Sequence, residues 1–344
     1  MQDQKRATRP GPGSFLARTV ASFRGGRSPV GRSGWRPSRA FPYFALGAVG
    51  FAAFTVSWPE PEAVAPVVPA VAPFATAELP LEVNERVEKW MRRFLTDQRR
   101  SFETFLSREG AFSHVIRGKL RERGMPEELL YLAMIESGFS TRATSRVGAG
   151  GVWQFMSPTA KEYGLRVDRW VDERRDPVKA TDAALDYLQF LHDRYDSWYL
   201  AAAAYNAGFG RVDRALRKNA GRGKGDEDLY WEIIEHLPRE TRDYVPKILA
   251  ATALAREAER YGFHVTRGAA PYEFERVWVP GGTPLAKVAR EVGIEAKLLK
   301  ELNPHLVHAV TPPGASYGLR VPVGSTRAVI AALGGRPLVH LGDD

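Results

Sequence analysis

The chain has 344 residues, 44% of them hydrophobic, which is enough for one large or two modest globular domains. It has no cysteine, which excludes disulfides, thiolate metal sites, a cysteine nucleophile and a lipid-modified cysteine. The net charge is +9, but residues 1–40 contribute +8 of it, with nine basic residues against the single acid Asp3. Because the remainder is nearly neutral, the charge distribution argues against a nucleic-acid partner.

Three segments precede the first predicted domain. Residues 1–40 are rich in Gly, Ser, Arg and Pro and are predicted to be a disordered cytoplasmic tail. Residues 41–58, FPYFALGAVGFAAFTVSW, carry no charge and, at about 1.5 Å per residue, are long enough to cross a bilayer as a helix. We interpret them as an uncleaved membrane anchor rather than a cleaved signal peptide, because the Ala-x-Ala triplet at 75–77 lies far beyond the apolar run. Residues 59–81 are predicted to be a proline-rich linker.

A mainly α-helical domain is predicted over residues 82–265, where apolar residues recur at three- and four-residue steps. Pro126 is expected to begin the helix that carries LLYLAMIESGFS, residues 129–140, and Gly138 is expected to end it. The other predicted helices cover about residues 102–120, 176–195, 197–206, 227–236 and 240–261.

The composition changes near residue 272, and residues 272–323 are predicted to form a separate β-α-α-β module. YEFERVWVP alternates like a strand, two short helical patterns follow, and YGLRVPVG closes the module as a second strand. Residues 324–344 are then predicted to be a C-terminal tail. His305 and His308 have no acidic or cysteine partner in the sequence, so no metal site is expected, and no motif indicates a cofactor.

Glu136 is unusual because it lies within an apolar stretch. By the i, i+3, i+4 rule it shares a helix face with Leu129 and Leu132. Burial disfavours the ionised form of a carboxyl and lifts its pKa above the ordinary value of about 4.3, which suits a general acid. The alternative is a structural glutamate paired with Arg142 or Arg146, and this stretch by itself does not separate the two.

Two further stretches have the composition of a sugar-binding groove. SRVGAGGVWQFM, residues 145–156, places glycines beside an indole ring and the amide of Gln154, which suit the apolar face and the hydroxyls of a sugar. AAAAYNAGFGRV, residues 201–212, puts Tyr205 and Asn206 at the end of a helix of small residues. Each residue alone is equally consistent with a core tyrosine or a helix-capping asparagine.

Four motifs in order resemble the family 1 lytic transglycosylases of peptidoglycan: IESGFS, GAGGVWQFM, AYNAGFGRV and LPRETRDYVPKILA. The similarity covers about residues 82–262 and implies a goose-type lysozyme-like (α+β, mainly α) fold in which Glu136 is the sole catalytic acid and base. The resemblance also implies that the Tyr244 hydroxyl lies near this carboxyl. The substrate-binding residues that it implies are Ser137, Gln154, Tyr205, Asn206 and Tyr244.

The resemblance implies a reaction in which water takes no part. Glu136 would protonate the oxygen that bridges N-acetylmuramic acid to N-acetylglucosamine, and would then take the proton of the muramoyl C6 hydroxyl as that oxygen closes onto C1. One carboxyl would serve as acid and then as base, whereas most glycosidases use two. The family further implies peptidoglycan glycan strands as the partner. With residues 41–58 as an inner-membrane anchor, the catalytic domain would lie in the periplasm.

The C-terminal module resembles a LysM glycan-binding repeat over residues 277–304 and 312–322. The usual Gly-Asp-Ser/Thr-Leu is here Gly282-Thr283-Pro284-Leu285, and extra residues lengthen the last turn. The module is therefore either a glycan-binding unit or a structural cap.

Two other functions remain open from the sequence. A hydrolytic muramidase needs a second carboxylate to activate water, and Asp168, Asp172 and Asp176 are candidates by position. A non-enzymatic peptidoglycan-binding scaffold is the other, although it gives no reason for Glu136 to occupy an apolar face.

Overall fold

The computed structural model describes residues 78–264 and 269–333, which form a mainly helical region followed by a small module with a two-stranded sheet. The helices of the first region are α1 (Glu85–Leu95), α2 (Arg99–Glu122), α3 (Leu130–Ser137), α4 (Ser157–Glu162), α5 (Pro177–Tyr195), α6 (Trp198–Ala207), α7 (Phe209–Asn219), α8 (Asp228–Ile233) and α9 (Arg239–Arg256). The module contains β1 (Glu275–Val279), α10 (Leu285–Val292), α11 (Ala296–Leu302), β2 (Tyr317–Val321) and α12 (Thr326–Ala332).

Side-chain caps determine where several helices begin. Asn84 before α1 and Ser197 before α6 each accept backbone N–H bonds from the first turn of the helix that follows. Asp176 caps α5 in the same way, and Pro177 follows it at the first helical position. The start of α5 is therefore fixed by the carboxylate of residue 176.

Helix α6 lies at the centre of the helical region, and all of its residues are buried. It packs against α5, α7 and α9, and its run of alanines at 201–204 lets these neighbours approach closely. Helix α9 packs in turn against α1 and α3. The three helices that carry most of the predicted site residues, α3, α6 and α9, thus form one packed group.

The module has the predicted β-α-α-β order. Strand β1 pairs antiparallel with β2, with Glu275 opposite Val321 and Val279 opposite Tyr317. Helix α12 packs against β1 and α10, and its Val329 is fully buried in the module core. The segment predicted as a C-terminal tail from residue 324 therefore contributes a helix to the module.

Several boundaries differ from the sequence predictions. Helices α4 and α7 were not predicted, and α9 ends at Arg256 rather than near residue 261. Gly208, with a φ of 84°, forms a sharp corner from which α7 starts at once, because glycine tolerates this conformation. The predicted cytoplasmic tail, the anchor at 41–58 and most of the linker lie outside the described residues. Within the described ranges, no helix combines the length and apolarity that a bilayer crossing requires.

The module packs directly on the helical region. An antiparallel bridge joins Val171, in the loop before α5, to Leu306 of the module. Val171 belongs to the hydrophobic core of the module, whereas Tyr272 and Leu302 belong to the core of the helical region. Each region thus contributes side chains to the hydrophobic core of the other. The module, which was predicted to be separate, therefore makes buried contacts with the helical region.

Candidate active site

Glu136 lies in the last turn of α3, where the chain changes direction. Gly138 ends the helix in the left-handed conformation with a φ of 58°, and a Cβ at this position would lie 2.2 Å from the ring of Phe105. A side chain therefore does not fit at residue 138, and the end of α3 is held closely against α2. Glu136 is thereby fixed on a rigid helix at the edge of the hydrophobic core.

The environment of the Glu136 carboxyl favours the protonated form. Burial raises its pKa from the ordinary 4.5 to about 7. The Tyr244 hydroxyl on α9 donates a hydrogen bond of 2.6 Å to Glu136 Oε1. This hydrogen bond lowers the pKa of Glu136 and so partly offsets the effect of burial. On the same helix, the negative charge of Glu240 raises the pKa and the positive charge of Lys247 lowers it. The carboxyl can therefore give up a proton and take one back near neutral pH.

Tyr244 is a permanent hydrogen-bond donor to this carboxyl. Its side chain is 3% exposed, and burial together with the neighbouring Glu136 raises its pKa well above the ordinary value. The described residues place this hydroxyl on Glu136, and neither Arg142 nor Arg146 pairs with it. The structure therefore does not favour the alternative in which Glu136 is a structural partner of an arginine.

A glycine-rich loop, residues 148–155, lies beside the end of α3 and is termed the site loop. A hydrogen bond of 3.0 Å from the Gly150 N–H to the Phe155 carbonyl folds this loop back on itself. Gln154 is 2% exposed, has a φ of 50°, and donates its side-chain amide to the Gly151 carbonyl at 2.8 Å. A non-glycine residue in this backbone region is uncommon and strained, so the surrounding contacts must hold the loop in its shape.

Three of the predicted site residues hold the loop and the helices together. Ser137 and Tyr205 each donate a hydroxyl to a carbonyl of the site loop, at 2.8 Å in both cases. Asn206 accepts a hydrogen bond of 2.8 Å from the Thr241 hydroxyl on α9. These bonds connect α3, α6 and α9 to the loop, and with the pair of Glu136 and Tyr244 they define one compact site. Contact of these residues with a glycan stays a prediction.

Three residues of the site were not singled out from the sequence. Glu240 and Lys247 lie four residues before and three residues after Tyr244 on α9 and act on Glu136 by charge. Thr241 donates a hydrogen bond to the side chain of Asn206 on α6. The signal that could have found them is the i, i+3, i+4 spacing around Tyr244, which places all of them on one helix face.

The aspartates considered as water-activating bases are engaged elsewhere. Asp172 accepts two hydrogen bonds from the guanidinium of Arg174, at 2.8 and 3.0 Å. Asp176 caps α5 and accepts a 2.6 Å hydrogen bond from Arg320. Asp168 accepts two backbone N–H bonds of the turn that follows it, at 2.7 and 2.8 Å. Since their oxygens already bind protein donors, the structure does not favour them as bases.

Comparison with known proteins identifies two domains. Residues 113–227 match the family model described as Transglycosylase SLT domain. Residues 273–334 match the one described as Lytic transglycosylase MltD, LysM-like domain. The first match contains Glu136 and the site loop, and the second covers the C-terminal module.

Among curated proteins, the chain is 36% identical to the membrane-bound lytic murein transglycosylase D of Escherichia coli (strain K12) over 221 residues, which are 64% of this chain and 48% of that protein. It therefore spans about half the length of this relative. It is 32% identical over 131 residues to the soluble lytic murein transglycosylase of the same organism, covering 36% of this chain and 20% of that protein. Among solved structures, it matches the 70 kDa soluble lytic transglycosylase from Escherichia coli with 22% identity and a TM-score of 0.38, over 55% of this chain and 34% of the other.

Proposed function

We propose that the protein is a peptidoglycan lytic transglycosylase that cleaves the β-1,4 bond between N-acetylmuramic acid and N-acetylglucosamine without water. The observation that carries this proposal is the Glu136 carboxyl, whose pKa of about 7 lets it act as an acid and then as a base near neutral pH. The family models, and the names of the relatives, support the same activity and the same substrate class.

The proposed reaction uses this one carboxyl twice. Protonated Glu136 donates its proton to the bridging oxygen, and the bond from that oxygen to muramoyl C1 breaks. The resulting carboxylate accepts the proton of the muramoyl C6 hydroxyl, whose oxygen forms a bond to C1 and gives 1,6-anhydro-N-acetylmuramic acid. Tyr244 would stabilise the carboxylate between the two steps, because it donates a hydrogen bond to Oε1. The cycle returns Glu136 to its protonated form and consumes no water.

A hydrolytic muramidase is the alternative function, and one observation favours it. Glu240 is a second carboxyl within electrostatic reach of Glu136. Activation of water on the opposite face of the sugar would require such a group. In the proposed transglycosylase, Glu240 instead acts through its charge, by helping to keep Glu136 protonated.

We further propose that the helical region has the goose-type lysozyme-like arrangement and works in the cell envelope. The name of the curated relative describes it as membrane-bound, which supports an envelope location. Attachment through residues 41–58, with the catalytic domain in the periplasm, is part of the same proposal, and fractionation of cells with sequencing of the mature N-terminus tests it. A soluble form that begins near residue 65 or 78 would contradict the anchor.

The decisive experiment is product analysis with purified sacculi in water labelled with oxygen-18. The expected products end in 1,6-anhydro-N-acetylmuramic acid and carry no label. Glu136→Gln keeps the size of the side chain but cannot transfer the proton, so turnover should fall by at least roughly a thousandfold. Glu127→Gln, the same chemical change in the turn before α3, is the matched control and should keep normal turnover.

Three outcomes contradict the proposal. A labelled reducing end on muramic acid means that water is the acceptor, and hence hydrolysis. A folded Glu136→Gln variant with near-normal turnover means that the acid lies elsewhere. Absence of any cleavage by the full chain would favour the non-enzymatic scaffold.

A further inference from the structure

A buried arginine in the loop before α5 closes the site loop. Residues 171–176 are termed the bracing segment. Its Arg174 is 9% exposed and is oriented by two hydrogen bonds to Asp172. From this position Arg174 Nη1 donates to the carbonyls of Gly148 and Phe155, at 2.8 and 3.1 Å. These carbonyls are the two ends of the site loop, so one side chain holds both ends together.

Glycines bring the site loop into direct contact with the bracing segment. Gly151 has a φ of 78°, and a Cβ there would lie 1.6 Å from the backbone oxygen of Arg174. A Cβ at Gly150 would lie 3.2 Å from the guanidinium carbon of the same residue. With no space between the two segments, a displacement of the bracing segment must displace the site loop as well.

The LysM-like module holds the opposite side of the bracing segment. Val171 is fully buried in the core of the module and pairs with Leu306 in an antiparallel bridge. Two backbone hydrogen bonds of 2.9 and 3.0 Å flank this bridge and join residues 170 and 172 to residues 307 and 305. The bracing segment is therefore attached to the module as a short additional strand.

A buried ion pair anchors the end of the same segment. Arg320 on β2 is 2% exposed and donates to Asp176 Oδ2 at 2.6 Å and to the Tyr272 hydroxyl at 3.0 Å. Its guanidinium lies 4.4 Å from the centre of the Phe274 ring. Asp176 is 1% exposed, and an isolated charge in either position would be strongly unfavourable. Separation of the module from the helical region would deprive each of these groups of its counter-charge.

We propose that the LysM-like module is a positioning element of the active site, with Arg320 as its anchor. The path of contacts runs from Arg320 to Asp176, through Arg174 to the site loop, and from the loop through the Ser137 hydroxyl to the end of α3 that carries Glu136. This inference rests on the proposed function and deepens it. A module that only tethers the enzyme to glycan would be joined by a linker with few buried contacts, whereas this one shares its core with the bracing segment.

The test compares full-length variants at a temperature far below their unfolding transitions. Arg320→Met keeps the aliphatic stem and removes the charge. It should lower kcat/KM on soluble glycan strands roughly ten- to a hundredfold, since small displacements of a site are costly. Arg320→Lys, which keeps the charge, should recover part of the loss. Arg276→Met, at the paired and exposed position of β1, is the matched control and should leave kcat/KM unchanged.

Hydrogen exchange gives a readout that does not depend on activity. In the Arg320→Met protein, the amides of the site loop should exchange faster than in the wild type, while those in the middle of α6 stay protected. The Arg276→Met protein should match the wild type at both places. If the wild type forms no anhydro ends, the proposed function fails, but this readout still tests the positioning role.

An engineered disulfide gives the second arm, because the chain contains no cysteine that could compete. Val171 and Leu306 form a bridge whose flanking hydrogen bonds make them a non-hydrogen-bonded pair, with Cα atoms about 4.5 Å apart, which suits a disulfide. The double variant Val171→Cys, Leu306→Cys should stay active when oxidised. When the same disulfide is added to Arg320→Met, oxidation should restore activity and reduction should remove it again.

Three results would overturn the proposal. One is an Arg320→Met protein with a lowered Tm but normal kcat/KM and normal exchange in the site loop, which means that the contact is only structural. Another is loss of activity on oxidation of the double variant, reversed by reductant, which means that the module must detach during turnover. The third is a failure of the disulfide to rescue Arg320→Met.

Discussion

Replacement of Glu136 by glutamine should stabilise the fold in a pH-dependent way. In the folded protein, burial raises the pKa of this carboxyl from 4.5 to about 7, so the folded state holds the proton more tightly than the unfolded chain. Ionisation therefore opposes folding progressively between these two pH values. Each pKa unit corresponds to about 1.4 kcal/mol, so the full cost above pH 7 is at most roughly 3.5 kcal/mol. Glutamine cannot ionise and can still accept the hydrogen bond of Tyr244.

Urea unfolding of wild type and Glu136→Gln from pH 4.5 to 8 measures this effect. The two proteins should be similarly stable at the acidic end, and the variant should become the more stable one as the pH rises to 8. Glu127→Gln is a control in which the expected change in stability has the opposite sign. Burial raises the pKa of Glu127, but hydrogen bonds from Arg121 and Arg117 lower it by more, so the net shift is downward. This variant should therefore lose stability at pH 8. If the difference in stability between wild type and Glu136→Gln stays constant over this pH range, burial does not raise the pKa of Glu136.

Three further predictions concern the same site. Tyr244→Phe removes the donor that stabilises the carboxylate, so turnover should fall roughly tenfold and the upper pH limit of a pH–rate profile should move upward. Glu240→Gln should move that limit to lower pH, whereas Lys247→Met should move it to higher pH, and shifts in the same direction would contradict the assigned charges. Gly151→Ala should lose at least about 2 kcal/mol in urea unfolding, because a Cβ cannot fit against the bracing segment at a φ of 78°; unchanged stability would mean that the loop is free to move.

The motifs predicted which residues carry the chemistry of the site, but the sequence does not give the distances between those residues in the folded protein. Glu136 stands out locally, because a carboxyl on a face of leucines is visible in any helical projection. The contact with Tyr244 joins residues 108 positions apart, and only the resemblance to a family suggested it. Glu240 and Lys247 were overlooked because charged residues on a helix are usually solvated, and their effect on Glu136 depends on how α9 packs against α3.

The module shows where pattern reasoning stops. Alternation in YGLRVPVG predicts a strand, and the structure confirms β2, but Leu319, Arg320 and Val321 are all buried in succession. In a half-exposed strand, Arg320 would lie in water. It is buried here because its guanidinium binds Asp176 and the Tyr272 hydroxyl. Helix α7 was not predicted, yet it follows α6 at once, because a single glycine with a positive φ, Gly208, is sufficient for the corner.

The pair of Arg320 and Asp176 joins residues that are 144 positions apart in the chain. Contacts of such separation form late, because a long loop must close before any binding energy is gained. During synthesis, Asp176 is made before Arg320, so its counter-charge is absent when α5 first forms. The bracing segment likewise lacks Leu306, the residue with which Val171 pairs. The start of α5 therefore gains its buried counter-charge only when residue 320 is available. Under the proposed role of the module, a chain that ends before residue 320 would have a misplaced site loop, and full catalytic activity would require the folded module.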